Sequence, residues 1–154
     1  MKTLQQWFDD YAVSHQNRTN KKIHYICVPA IFFSIVGLLM SIPAGPLQYI
    51  LPGVYPYIEN WAVVVLVFVL VFYARLSFAM ALKILVFASL CVVLNTLIAR
   101  VAPLWLVSLL IFALAWIGQF YGHKIEGKKP SFLKDIQFLL IGPAWVMDNI
   151  FKKG

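Results

Sequence analysis

The chain has 154 residues, of which 62% are hydrophobic and 12% are charged. Soluble domains average roughly 45–50% apolar and 25% charged residues, so an ordinary soluble globule is excluded. One small core cannot bury this much apolar surface, and we expect the excess to face lipid in a single integral-membrane domain, residues 1–154. The net charge is +7, but no basic stripe alternates with exposed aromatic residues, which argues against a nucleic-acid partner. Cys27 and Cys91 match no metal-ligand or redox spacing and are expected to be small core or lipid-facing residues.

The opening segment contains a short amphipathic pattern. Leu4, Trp7, Phe8 and Tyr11 recur at the i, i+3, i+4 and i+7 positions, which predicts a helix with one apolar face. The segment holds no apolar stretch of the signal-peptide type. We therefore expect an amphipathic helix that lies on the membrane surface.

Apolar segments long enough to cross a bilayer follow, because a hydrocarbon core of about 30 Å takes about 20 helical residues. The first covers 23–42 and is followed by a loop rich in Pro and Gly over 43–56. The apolar stretch 60–99 is twice the length of a span and must reverse, and we place the reversal between its two charged residues, Arg75 and Lys83. The chain is thus predicted to be an all-α, multi-pass membrane bundle with spans at about 23–42, 57–75, 81–99 and 101–121.

The distribution of Lys and Arg predicts the orientation of these spans. The N-terminal segment, the second loop and the C-terminal tail are basic, whereas the first loop has no Lys or Arg and the third has only Arg100. By the positive-inside rule both termini face the cytoplasm, from a bacterial inner membrane or from an endoplasmic reticulum membrane if the source is eukaryotic. The apolar tail, 132–151, is interrupted by Gly142-Pro143, so we expect a pair of short amphipathic or re-entrant helices on the cytoplasmic face.

Three histidines are the most informative residues. His15 precedes the first span, His24 lies at its start and His123 follows the fourth, so the predicted topology brings all three to one membrane face. Neutral imidazole is the commonest protein metal ligand, and three such nitrogens suit a redox-active or Lewis-acid metal. Imidazole ligands serve iron and zinc alike. A histidine at a membrane interface is also a common polar anchor, and this interpretation stays open.

The spacing of the first two histidines requires a break in the helix. His15 and His24 are nine residues apart, which is two and a half turns at about 3.6 residues per turn, so one continuous helix would point them in opposite directions. The polar residues 17–20 supply a break. Asn20 is then either the N-cap of a helix that begins at Lys21 or a residue that supports a metal ligand.

Polar side chains also flank His123. Gln119 lies one helical turn before it, and Glu126 lies three residues after it. A carboxylate at that offset would orient the imidazole, become a ligand itself, or be a charge at a solvated helix end. Asp148 is a further candidate for supporting or completing the metal shell.

Two motifs carry a family resemblance. They read His15-x4-Asn20-x3-His24-x4-Pro29 and Trp116-x2-Gln119-Phe120-x-Gly122-His123-x2-Glu126-x3-Pro130. The chain resembles the 2-hydroxy-fatty-acid dioxygenase family, which comprises a fungal enzyme that shortens fatty acids derived from phytosphingosine and many small bacterial membrane homologues. The resemblance implies an iron(II)-dependent membrane oxygenase in which His15, His24 and His123 hold the iron and are the catalytic residues.

The resulting hypothesis is a membrane dioxygenase that removes one carbon from 2-hydroxy fatty acids by α-oxidation, with O₂ as co-substrate, Fe(II) as cofactor and membrane lipids as surroundings. Two alternatives stay open. One is a noncatalytic helical scaffold or assembly protein of the membrane with interfacial histidines. The other is a membrane protein that binds haem through two of the histidines.

Overall fold

The computed structural model describes residues 2–50, 57–130 and 137–151, and these residues form α-helices and no strand. The helices are α1 (Leu4–Ala12), α2 (Arg18–Met40), α3 (Leu47–Ile50), α4 (Trp61–Leu76), α5 (Phe78–Ala99), α6 (Leu104–Glu126) and α7 (Phe138–Phe151). The prediction of an all-α chain is confirmed. The predicted loop holds the one-turn helix α3, and its residues 51–56 lie outside the described part of the chain.

Three of these helices, α2, α5 and α6, are long and apolar enough to cross a membrane. They contain most of the predicted spans 23–42, 81–99 and 101–121. Helix α4 corresponds to the predicted span 57–75 but has only 16 residues. That is about 24 Å of helix, shorter than a hydrocarbon core of about 30 Å. The chain is thus suited to a membrane, while a count of four spans stays a prediction.

The predicted reversal within 75–83 is made by one residue, Ser77. Ser77 ends α4 with an extended backbone, and its side-chain oxygen accepts a hydrogen bond from the Met80 N–H at 3.3 Å, which caps α5. Arg100, just after α5, donates to the hydroxyl of Tyr57, just before α4, at 3.4 Å. The two helices therefore run antiparallel.

The chain divides into two compact units, Met1–Ile31 with Ala113–Gly154, and Phe32–Phe112. The second unit has a core of small and branched side chains: Val36, Ala62, Leu66, Ala88, Cys91 and Val92. Cys91 is a packing residue, as expected. Close by in this unit, the Asn95 side-chain amide donates to the carbonyls of Phe33 and Cys91 at 3.2 and 2.9 Å, which ties α5 to α2 in apolar surroundings.

In the first unit, the apolar face of α1 packs against α7. Trp7, Phe8 and Tyr11 are buried. The Trp7 ring meets Phe138 edge-on at a centroid distance of 5.3 Å, and Tyr11 lies 5.4 Å from Trp145. The periodic stripe is therefore the buried face of a helix.

The prediction of a pair of short helices separated at Gly142-Pro143 is wrong, because α7 is continuous through both residues. Pro143 removes a single backbone donor, and α7 tolerates that loss. Glycine at position 142 lets the Tyr11 side chain lie close to the backbone of α7, since a Cβ atom there would lie 3.1 Å from the Tyr11 hydroxyl oxygen. Residues 132–136 of the predicted segment lie outside the described residues.

Candidate metal centre

The three histidines meet within the first unit. His15 lies between α1 and α2, His24 in the second turn of α2, and His123 in the last turn of α6. The ring centroids are 4.3 Å apart for His15 and His24, 5.0 Å for His15 and His123, and 4.9 Å for His24 and His123. One nitrogen from each ring lies within 4.8 Å of the other two. The structure thus brings together residues that are separated widely along the chain.

The predicted break between His15 and His24 is present as a non-helical linker, residues 13–17. Helix α1 ends before this linker and α2 begins after it. His15 is therefore not held to the helical spacing that would turn it away from His24.

The residue that caps α2 is Asn17. Its side-chain oxygen accepts hydrogen bonds from the N–H groups of Thr19 and Asn20 at 2.8 and 3.3 Å, and its carbonyl accepts the helical bond from Lys21 at 3.0 Å. The prediction that Asn20 caps a helix beginning at Lys21 is therefore wrong, and α2 begins at Arg18. Asn20 does not cap the helix because it lies inside the first turn of α2, and its side-chain amide donates to the Ser14 carbonyl and to Glu126.

Backbone carbonyls orient two of the imidazole rings. His15 Nδ1 lies 2.6 Å from the Tyr11 carbonyl oxygen, and His24 Nδ1 lies 3.0 Å from the Asn20 carbonyl oxygen. A carbonyl can only accept, so each Nδ1 carries the hydrogen and each Nε2 keeps its lone pair. Histidines that bind metals characteristically donate their second ring N–H in this way.

Two imidazole nitrogens are buried without a hydrogen-bond partner in the described part of the chain, His15 Nε2 and His123 Nδ1. The exposed fractions of His15, His24 and His123 are 0%, 1% and 5%. A buried polar atom without a partner costs free energy, and one metal ion would satisfy both nitrogens. The donor set therefore fits a metal that accepts nitrogen ligands.

Burial also keeps His15 in the form that binds metals. Loss of hydration lowers the pKa of His15 to about 4, because the charged imidazolium suffers most from burial. Much of the cover is aromatic: the Tyr11 ring stacks on His15 at 4.0 Å, and Trp145 lies 5.6 Å away. His15 is consequently neutral at neutral pH.

The predicted supporting residues Gln119 and Asn20 both lie at the cluster. Gln119 is buried and hydrogen-bonds the side chain of His24. Asn20 is fully buried, and its side-chain amide donates to the Ser14 carbonyl at 3.3 Å. Its backbone carbonyl holds His24, so Asn20 contacts the cluster through its main chain as well.

The two predicted acidic residues are placed differently. Glu126, at the end of α6, accepts hydrogen bonds from the N–H groups of Gln16 and Asn17, each at 2.8 Å, and from the Asn20 side chain at 3.1 Å. Asp148 is half-buried on α7. Among the described His, Cys, Asp and Glu residues, the group whose ligand atoms converge contains histidines alone.

Sequence reasoning missed two features around the cluster. The sequence marks Tyr11 only as part of an apolar stripe, although its position four residues before His15 places its carbonyl within reach of that ring. Gly122 lies within the second histidine motif, and the motif alone predicts no role for it. A Cβ atom at Gly122 would collide with the side-chain oxygen of Asn20, so glycine at this position leaves room for the Asn20 side chain against α6.

Comparison with known proteins identifies the family. A family model described as 2-hydroxy-palmitic acid dioxygenase Mpo1-like matches residues 1–153, which include all three histidines. No curated protein and no solved structure matched the chain. The match agrees with the resemblance carried by the two histidine motifs. This chain belongs to the 2-hydroxy-palmitic acid dioxygenase Mpo1-like family.

Proposed function

We propose that this protein is a membrane-bound, iron(II)-dependent dioxygenase that shortens 2-hydroxy fatty acids by one carbon. The family description names both a 2-hydroxy fatty acid and a dioxygenase. The observation that carries the proposal is the buried cluster of three imidazoles, two of which have a nitrogen without a partner among the described residues. Three such ligands would leave coordination positions open for substrate and dioxygen.

His15, His24 and His123 would hold the iron. When bound, iron(II) would supply the redox chemistry with dioxygen that amino-acid side chains lack. The chain itself orients the imidazole rings and keeps water away from them. The carbonyls of Tyr11 and Asn20 hold the Nδ1–H groups of two rings, which turns the Nε2 atoms toward the cluster as candidate ligands, and His15 Nε2 has no other partner among the described residues. Burial excludes water and keeps His15 neutral.

A 2-hydroxy fatty acid suits this position chemically. Its hydroxyl and carboxylate are adjacent oxygen donors for a metal. His24 lies near the start of α2 and His123 near the end of α6, and both helices are apolar enough to cross a membrane. We place the polar end of the substrate at these helix ends and its acyl chain in lipid.

The geometry disfavours haem binding by two of the histidines. Axial imidazoles lie on opposite faces of a porphyrin, so the macrocycle must fit between the two rings. The ring centroids are only 4.3 to 5.0 Å apart. No pair among the three leaves that space.

The proposal is tested on purified protein reconstituted with iron(II) without oxygen and then given O₂ and 2-hydroxypalmitate. We expect stoichiometric iron, oxygen uptake, and a fatty acid one carbon shorter by mass spectrometry. His123→Ala should lose both the iron and the oxygen uptake, because a metal ligand is removed. Asp10→Asn, which changes an exposed residue paired with Lys2 at 2.8 Å, should retain both.

The alternative functions predict different outcomes of this experiment. Equal oxygen uptake by the wild type and His123→Ala contradicts the catalytic proposal. A wild type without stoichiometric metal indicates the noncatalytic scaffold. A Soret band in the visible spectrum would indicate haem.

A further inference from the structure

We propose that Glu126 is a positioning residue that fixes the three histidines relative to one another by holding the linker between α1 and α2. The inference rests on the proposed metal site. It concerns hydrogen bonds that lie outside the imidazole cluster, so Glu126 is assigned no contact with the metal or the substrate.

The first step is the set of partners around the carboxylate. One oxygen of Glu126 accepts from the Gln16 N–H at 2.8 Å. The other accepts from the Asn17 N–H at 2.8 Å and from the Asn20 side-chain amide at 3.1 Å. Both oxygens are therefore engaged by residues of the linker and the first turn of α2. The three contacts join residues that are 106 to 110 positions apart in the chain.

The second step is that each donor belongs to a segment carrying a histidine. Gln16 directly follows His15. Asn17 caps α2, the helix of His24, and the Asn20 carbonyl holds the ring of His24 at 3.0 Å. Glu126 itself lies one turn after His123 on α6. One carboxylate thus connects the main-chain segments of all three rings.

The third step is that the contacts depend on the negative charge. Hydrogen bonds to a carboxylate are roughly twice as strong as bonds between neutral groups. The carboxylate also lies at the N-terminal end of α2, where the helix dipole favours an anion. A glutamine of the same shape has one acceptor oxygen and one NH₂ group, and that NH₂ would face an N–H donor.

A second contact from the same end of α6 holds the other end of the linker. The Lys128 ammonium donates to the Val13 carbonyl at 2.7 Å. Val13 is the residue after the last residue of α1, whereas Asn17 is the residue before α2. The linker is consequently held at both ends, with His15 between them.

The test compares wild type, Glu126→Gln and Glu126→Ala, with Asp10→Asn as the control that also removes one negative charge from the first unit. Amide hydrogen exchange of the metal-free proteins reports whether Gln16 and Asn17 are held. A Co(II) titration, followed by its visible absorption, reports metal affinity and coordination geometry. Neither readout depends on catalytic activity.

We expect faster exchange at Gln16 and Asn17 in both Glu126 variants. Their Co(II) affinity should fall by about 10- to 100-fold, as is typical when a residue that supports metal ligands is lost. Asp10→Asn should match the wild type in both measurements. Glu126→Gln keeps the size of the side chain, so it remains informative if Glu126→Ala fails to fold.

Two results would overturn the inference: Co(II) binding by Glu126→Gln with wild-type affinity and spectrum, or unchanged exchange at Gln16 and Asn17. A wild type that binds no Co(II), iron(II) or zinc is a different result and contradicts the proposed metal site. The exchange data would still decide whether Glu126 holds the linker.

Discussion

The Nδ1–H groups of His15 and His24 donate to carbonyls four residues earlier in the chain, those of Tyr11 and Asn20. At the scale of single residues, the same local contact therefore orients two rings that belong to different segments. Each bond fixes one tautomer, in which Nδ1 carries the hydrogen and Nε2 carries the lone pair. The histidines can be recognised from the sequence as candidates. Their directions cannot, because the side-chain torsions depend on what surrounds each ring.

Asn17→Ala tests the cap of α2. The change removes the acceptor for the Thr19 and Asn20 N–H groups, now at 2.8 and 3.3 Å. We expect a loss of about 1 kcal/mol in the free energy of unfolding, measured by denaturant titration in detergent. Asn17→Asp keeps an acceptor and should stay close to wild type. If Asn17→Ala is as stable as the wild type, the cap contributes nothing measurable.

At the scale of elements, the sequence predicts the apolar interiors of α2, α5 and α6 well and their ends poorly. Helix α2 begins at Arg18, five residues before the predicted span 23–42, because its first turn is polar and lacks a hydrophobic signal. Helix α7 passes through Gly142-Pro143, a pair that local preference marks as a break, and Gly142 lies against the Tyr11 side chain. The partners of Glu126 lie more than 100 positions away, so no local pattern could reveal them.

Gly118→Ala tests the close approach of α2 and α6. A Cβ atom at Gly118 would lie 2.6 Å from the sulfur of Cys27, so the variant should be destabilised by about 1–3 kcal/mol through overpacking. Gly118→Ala combined with Cys27→Ala removes that sulfur and should recover most of the loss. Unfolding titrations of both variants, with Cys27→Ala alone as the control, measure the effect. A double variant no more stable than Gly118→Ala would show that the sulfur is not the obstacle.

At the scale of the whole molecule, the distribution of Lys and Arg predicts the orientation of the spans, which the length and hydropathy of the helices do not decide. The start of α2 carries Arg18, Lys21 and Lys22, and the tail after α6 is basic, whereas 43–57 has no Lys or Arg. The positive-inside rule therefore predicts that residues before α2 and after α6 face the same side of the membrane. This requires α4 to cross despite its 16 residues. Local thinning of the bilayer or flanking polar side chains would accommodate the mismatch.

Single cysteines placed before α2, before α4 and after α6 test this topology, using Gln5→Cys, Gln48→Cys and Lys129→Cys, all at exposed positions. A maleimide that cannot cross membranes should label Gln5→Cys and Lys129→Cys only from the cytoplasmic side, and Gln48→Cys only from the opposite side. The wild type, with Cys27 and Cys91 inside helices, gives the background. Labelling of Gln5→Cys and Lys129→Cys from opposite sides would mean an odd number of spans. The shorter helix α4 would then be the segment that does not cross, and the rule derived from the basic residues would fail for this chain.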